Sequence, residues 1–278
     1  MILVIVCHPD DETLWFGGSL NALAKLSSSK VCVLCLSGRD ANSLREKEFH
    51  AAMSVAGCSK GVVQGFPLRD AHQALPNISK TVEQGLVELG YDTSDIELLI
   101  THSPYGDEHR HPHHVQAYQE LFSWTKKRKV PLGFFSTIPL PIGSIRSCLH
   151  NYQRKDQVHL NFFGHCTYSL LDILKANFFY GRGWMPKFYF QWQINSSIKK
   201  AMLNCYESIN LRQHEEGYAM FTSGVESFYL CDEAGLNAIK ALIEKMDVPG
   251  ASDLFDLPSR PRVFASKIYR KLKNALYS

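Results

Sequence analysis

The chain has 278 residues, 45% of them hydrophobic, and its 30 Lys and Arg against 27 Asp and Glu leave a formal charge of only +3. That length and apolar content allow one large domain, or one domain with an appended lobe. The charge is too small to argue for a nucleic-acid partner, and no Lys/Arg run is interleaved with aromatics as a base-stacking surface requires. The eight cysteines are scattered, which fits a reducing compartment. The first apolar run is too short for the core of a signal peptide, and no run approaches the roughly 18 residues of a spanning helix. The expected location is cytoplasmic.

Met1–Val6 reads as a buried strand. It runs straight into Cys7-His8-Pro9-Asp10-Asp11-Glu12, one imidazole and three carboxylates at the mouth of a core strand. So many ionisable groups destabilise a strand end unless something compensates them, and a divalent metal is the common compensator. Leu14–Leu26 is an expected helix and Lys30–Leu36 the second strand. In that strand Cys32 and Cys35 form a C-x-x-C, but a period of two puts them on opposite faces. They read as buried structural thiols rather than a redox or metal pair. Ser43–Ala56 is a helix with Gly57 after its last turn, Gly61–Phe66 the third strand, and Asn77–Leu89 a helix ending at Gly90.

Ile96–Thr101 is the fourth strand. Beyond it stands a second polar cluster, Glu108-His109-Arg110-His111-Pro112-His113-His114. Together the two clusters supply the imidazole and carboxylate ligands that zinc prefers. Pro112–Lys127 is a helix with proline in its first turn, and Leu132–Thr137 the fifth strand. On a starting helix His111 and His114 share a face, and His113 is expected to turn outward to solvent.

Strands that alternate with helices and read as continuous apolar runs imply an α/β fold. The expectation is a Rossmann-like doubly wound, mostly parallel sheet with an aromatic-rich C-terminal elaboration. The expected organisation is a metal-site core over 1–140, a C-terminal elaboration of the same domain over 141–256, and a basic tail over 257–278. Residues 160–192 are dense in Phe, Tyr and Trp and read as a lid, an interface or plain core filler. Ser196–Tyr206 is a further helix and Glu226–Cys231 a late strand. The tail carries Arg260, Arg262, Lys267, Arg270, Lys271 and Lys273 without an acid, with apolar residues at helical spacing. A terminal helix packed on its own domain is the favoured reading, and peripheral contact with an anionic membrane the alternative. Nothing in the sequence indicates an oligomeric state.

In an open parallel sheet, ligands bind beyond the carboxyl ends of the strands where strand order reverses. For the order 3-2-1-4-5 that point lies between strands 1 and 4, so the two polar clusters should meet across one crevice. Gly17-Gly18 after strand 1 is not a G-x-G-x-x-G, and carboxylates stand where a pyrophosphate would bind. A dinucleotide site is therefore not expected.

His8-Pro9-Asp10-Asp11-Glu12 followed by Gly17-Gly18 resembles the (A/C)HPDDE signature of the PIG-L/LmbE-like family of zinc-dependent de-N-acetylases. Thr101-His102-Ser103-Pro104-x-Gly106 and His111-Pro112-His113-His114 resemble that family's second motif, and Arg45-x-x-Glu48 its R-x-x-E helix. The resemblance covers roughly residues 1–140. It implies His8, Asp11 and His114 as metal ligands, Asp10 as general base, and His111 as the histidine serving the oxyanion or the leaving amine. It departs from the family's pattern at His109, where the family often has Tyr, and at Ser208-Ile209, where it often has Ser-Gln.

The implied reaction removes an acetyl group from an N-acetylated amino sugar, a small-molecule partner, with Zn2+ as cofactor or another divalent ion such as Fe2+. Three protein ligands leave zinc an open position for water, a free carboxylate can take a proton, and an imidazole opposite can give one. Arg45, His102 and His109 are expected to touch substrate; for Arg45 pairing with Glu48 is the alternative, and for His102 packing or orienting a ligand. Glu12 reads as a supporting residue. The rival functions are an amidase on a thiol-conjugate or other non-sugar amide, a two-His-one-carboxylate iron oxygenase, and a non-catalytic binding protein.

Overall fold

All five residues of Ile2–Val6 and all seven of Val31–Ser37 are buried. Strands covered on both faces have no polar side to show, which is why they read as unbroken apolar runs. The computed structural model describes residues 1–26, 29–39, 43–66, 74–103, 111–136, 188–193, 195–209 and 225–244. Its elements are β1 (Ile2–Val6), α1 (Asp11–Leu26), β2 (Val31–Ser37), α2 (Leu44–Ala56), β3 (Lys60–Phe66), α3 (Ile78–Leu89), β4 (Leu98–Thr101), α4 (Pro112–Arg128), β5 (Leu132–Ser136), β6 (Phe188–Gln193), α5 (Ser196–Leu203), β7 (Val225–Leu230) and α6 (Glu233–Glu244). The basic tail, His109 and most of the aromatic stretch lie outside the described residues.

The sheet runs β3-β2-β1-β4-β5-β7-β6. The first five strands are parallel, and β7 and β6 extend them antiparallel. The fold is thus a doubly wound, mostly parallel α/β sheet, with order reversing between β1 and β4 as expected. Alternate residues of β1 feed two cores. Val4 and Val6 pack with Phe16 and Leu20 of α1, Phe49 of α2 and Met202 of α5. Leu3 and Ile5 pack on the opposite face with Val82 of α3 and Leu121 and Trp124 of α4. Cys32 and Cys35 fall in opposite cores and are free thiols; burial pushes the pKa of both up, so they are inert.

Most boundaries follow local chemistry. Ser43 caps α2 by accepting the Glu46 N–H at 3.2 Å. Gly57 and Gly90 close α2 and α3 at φ 78° and 82°, a left-handed conformation glycine adopts without strain. Three boundaries differ from expectation by two residues or more. Helix α1 begins at Asp11 rather than Leu14, because the Asp10 carbonyl accepts the N–H groups of Thr13 and Leu14 at 2.9 and 2.8 Å. Strand β4 begins at Leu98 because Thr93–Asp95 form a 3-10 turn that Ile96 closes. Helix α5 stops at Leu203, after which Cys205 and Tyr206 donate to carbonyls three residues back. Among the described residues no helix is long and apolar enough to cross a membrane.

A buried ion pair ties α1, α5 and β7 together. Lys199 Nζ lies 2.6 Å from Glu226 Oε1, both side chains 3% exposed. Glu226 also accepts the N–H groups of Gly18 and Ser19 and the Ser19 hydroxyl, at 3.0, 2.7 and 2.6 Å. Removing one partner of such a pair leaves an uncompensated buried charge. Lys199→Met should therefore lower unfolding free energy by about 3–5 kcal/mol, read from urea denaturation. An unchanged midpoint would show that the pair adds nothing.

Candidate metal centre

The two polar clusters meet at the switch point. His8 follows β1, Asp11 opens α1, His102 follows β4, and His111 stands just before α4. Pro112 at the first helical position leaves His111 with extended backbone at φ −55° and ψ 123°. Its ring turns back over the sheet edge.

Three donor atoms form a close triangle. His8 Nδ1 lies 3.2 Å from Asp11 Oδ2, His114 Nε2 lies 3.1 Å from the same oxygen, and the two nitrogens are 3.1 Å apart. That is the spacing of ligands about 2.0–2.2 Å from one shared ion. Three lone-pair atoms so close repel unless a proton or a cation sits among them, so the donor set fits a divalent metal. Asp11 is suited to it: although burial alone would raise its pKa, His114, His8 and His102 hold it well below the usual carboxylate range. Its Oδ2 also accepts the His8 N–H at 2.8 Å. Two other triplets gather nearby, His8-His111-His114 and Cys7-His102-His114. In the latter, His102 Nε2 already accepts the Cys7 N–H at 3.0 Å.

Asp10 stands beside the triangle. Its backbone has φ 131°, a region non-glycine residues rarely occupy and which clusters at functional sites. Arg45 Nη2 donates to Asp10 Oδ2 and to the Pro9 carbonyl, both at 2.9 Å. Burial and the charge of Asp11 raise the Asp10 pKa well above its ordinary value, against the pull of Arg45. Glu12 is fully buried and takes the Asp10 N–H at 3.1 Å. His111 is half-buried, with its ring centroid 4.6 Å from those of His8 and His114. Burial, then the neighbouring imidazoles, lower its pKa to about 4, and a cation at the triangle would act in the same direction. His111 is therefore a neutral imidazole with a proton to share.

One expectation is corrected, and two further residues have their contacts defined. His113 is not turned to solvent: it is 2% exposed, and its Nδ1 lies 3.2 Å from His8 Nε2. The helical-wheel argument fails there because His111 precedes the helix, and side chains of a first turn lean toward the N-terminus, where the site lies. With its Nδ1 given to an ion, His8 would carry its proton on Nε2, 3.2 Å from His113 Nδ1. His102 has the contacts of the alternative reading: it is 1% exposed, accepts the Cys7 N–H, and stacks on His114 with centroids 3.8 Å apart. Burial lowers its pKa to about 4, so it is a neutral support beneath the triangle. Arg45 does not pair with Glu48, and its side chain stays 28% exposed. It clamps Asp10, while Glu48 accepts the N–H and the hydroxyl of Ser208.

Sequence reasoning passed over Tyr206 and the partner of Glu48. Tyr206 donates to Glu12 Oε1 at 2.6 Å across 194 residues of chain, a pairing that no local spacing announces. The serine in the Ser208-Ile209 departure was the one available signal.

The sheet's switch point thus joins an imidazole–carboxylate triangle able to hold a divalent ion with a carboxylate, Asp10, outside that triangle. Residues 3–124 match the PIG-L family model, described as GlcNAc-PI de-N-acetylase. The chain is 34% identical over 127 residues to a probable N-acetylglucosaminyl-phosphatidylinositol de-N-acetylase of Schizosaccharomyces pombe, an overlap of 42% of this chain and 49% of that protein. It is 24% identical over 168 residues to the 1D-myo-inositol 2-acetamido-2-deoxy-alpha-D-glucopyranoside deacetylase of Corynebacterium diphtheriae, covering 49% and 56%. The chain thus spans about half the length of the curated relatives it matches. Among solved structures, a triple mutant of a deacetylase of the teicoplanin biosynthetic pathway shares the fold, with a TM-score of 0.51 at 14% identity over 82% of this chain and 96% of that one.

Proposed function

We propose that this protein is a zinc-dependent de-N-acetylase that hydrolyses the acetamide of an N-acetylglucosamine unit joined to inositol, releasing acetate and the free amine. The observation that carries the reading is the triangle of His8 Nδ1, Asp11 Oδ2 and His114 Nε2, with edges of 3.1–3.2 Å and Asp10 beside it. The names of both curated relatives, each acting on N-acetylated glucosamine joined to an inositol, support the substrate class.

His8, Asp11 and His114 are the residues that would hold the ion. Zinc bound there supplies a Lewis acid and brings the pKa of water at its open position to roughly 7. Asp10 is left as the carboxylate that takes the proton of the attacking water. Its burial disfavours the charged form, and both Arg45 and a nearby cation favour it. His111, as a neutral imidazole, donates its N–H to the oxygen that gains charge in the tetrahedral intermediate, and the proton taken up by Asp10 passes to the departing nitrogen. His102 and His113 lie outside the reaction and set the orientation of the ligating rings.

The test is acetate release from N-acetylglucosaminyl-phosphatidylinositol, N-acetylglucosaminyl-inositol, free N-acetylglucosamine and a non-sugar acetamide, each with and without chelator. The inositol conjugates should be cleaved, and chelator should abolish the activity. Cleavage of the non-sugar acetamide alone would overturn the sugar reading, and turnover indifferent to chelator the metal reading. Elemental analysis of anaerobically purified protein separates zinc from iron.

A second expectation concerns His113. If it fixes the ring of His8 by accepting its Nε2 proton, His113→Ala should weaken metal binding by about 10- to 100-fold, the usual effect of losing such a partner. Competition with a chromophoric chelator measures this, and unaltered affinity would remove His113 from the site.

A further inference from the structure

The segment after α5 reaches the Asp10 turn by two routes, and neither passes through the donor triangle. Tyr206 is 2% exposed, and its hydroxyl donates to Glu12 Oε1 at 2.6 Å. Thr13 Oγ1 donates to the same oxygen at 2.6 Å, and Glu12 Oε2 accepts the Asp10 N–H at 3.1 Å. The second route runs through α2. The N–H of Ser208 donates to Glu48 Oε1 at 2.7 Å, and its hydroxyl to Glu48 Oε2. One turn earlier, Arg45 holds Asp10 Oδ2 and the Pro9 carbonyl.

Asp10 needs such support. At φ 131° an L-residue is strained, and strain of this kind persists only where the surroundings over-determine it. A carboxylate held by two hydroxyls is a rigid acceptor for the Asp10 N–H. With one of those donors gone, Glu12 is freer to turn and the Asp10 backbone freer to relax.

We propose that Tyr206 is a positioning residue for Asp10, holding its strained backbone through Glu12, while Ser208, through Glu48, seats the helix whose Arg45 clamps the Asp10 carboxylate. The proposal rests on Asp10 acting as the base in the hydrolysis described above. A base must be held in a productive geometry, and a misplacement of about 1 Å can cost about a hundredfold in rate.

The experiment compares wild type with Tyr206→Phe in the full-length, metal-loaded protein. Tyr206→Phe should lower kcat by on the order of 10- to 100-fold, leave KM and bound metal unchanged, and show Asp10 at negative φ in its crystal structure. Tyr206→Phe combined with Glu12→Gln should lose no more than the worse of the two single variants, because both act on one linkage. Ser208→Ala, at an exposed position, should lower kcat by a smaller factor, and Ser208→Thr should restore it. Unchanged kcat with Asp10 still at positive φ overturns the proposal. So does loss of metal in parallel with activity, which would put Tyr206 behind the triangle, or additive losses in the double variant. If wild type releases no acetate from any N-acetylated sugar, the functional reading has failed, and the position of Asp10 in Tyr206→Phe still decides whether the brace exists.

Discussion

Replacing either His8 or His114 with alanine should strip the protein of its metal. Purified wild type is expected to hold about one zinc-like ion per chain, and His8→Ala and His114→Ala to hold almost none. Each side chain contributes one corner of a triangle whose edges are 3.1–3.2 Å. Loss of a corner leaves two protein ligands, too few for a tetrahedral site that also binds water. The loss of metal should exceed what any loss of stability explains; because His114 is 2% exposed and stacked on His102, some destabilisation should accompany its removal. Elemental analysis after dialysis, beside a thermal melt, measures both. Full occupancy in both variants would show that the ion is held elsewhere, as by Cys7 with His102.

Asp10→Asn should do the opposite, keeping the metal and losing catalysis. The substitution preserves the shape of the side chain and an oxygen for Arg45, so the clamp at 2.9 Å has an acceptor still. It removes the group that takes a proton, for which the usual loss is about 10²–10⁴-fold in rate. Turnover and metal content measured on the same preparation give the answer. A metal-loaded Asp10→Asn enzyme with near-normal turnover would exclude Asp10 as the base. The pair of results separates ligand from base within a run of four residues, His8 to Asp11, where sequence spacing alone cannot.

How much of this was legible in the sequence depends on the range over which each determinant acts. The order of elements was readable because apolar runs, capping residues such as Ser43 and terminal glycines such as Gly57 act within a few residues of chain. The parallel topology followed from strands that alternate with helices, and topology alone brings a motif at His8–Glu12 against one at His111–His114. The donor types were therefore visible before any coordinate was.

Orientation was not. Whether His113 faces solvent or His8 is decided by where the first turn of α4 lies relative to His8, which periodicity within the helix does not report. His102 is a support because the pairing of β4 with β1 brings its ring against the Cys7 N–H and the His114 ring, which spacing along the chain cannot say. Tyr206, Lys199 and Glu226 carried no signal at all, and Ser208 only that of the Ser208-Ile209 departure. Each is an ordinary polar residue until the chain folds and places it against a partner between 27 and 208 residues away. A buried polar group must find such a partner or destabilise the core, but sequence does not say which partner. The linear chain determined the elements, their order and the chemistry gathered at one edge of the sheet; tertiary packing alone decided which side chains hold that chemistry in place, because those hydrogen bonds join residues that are neighbours only in the folded state.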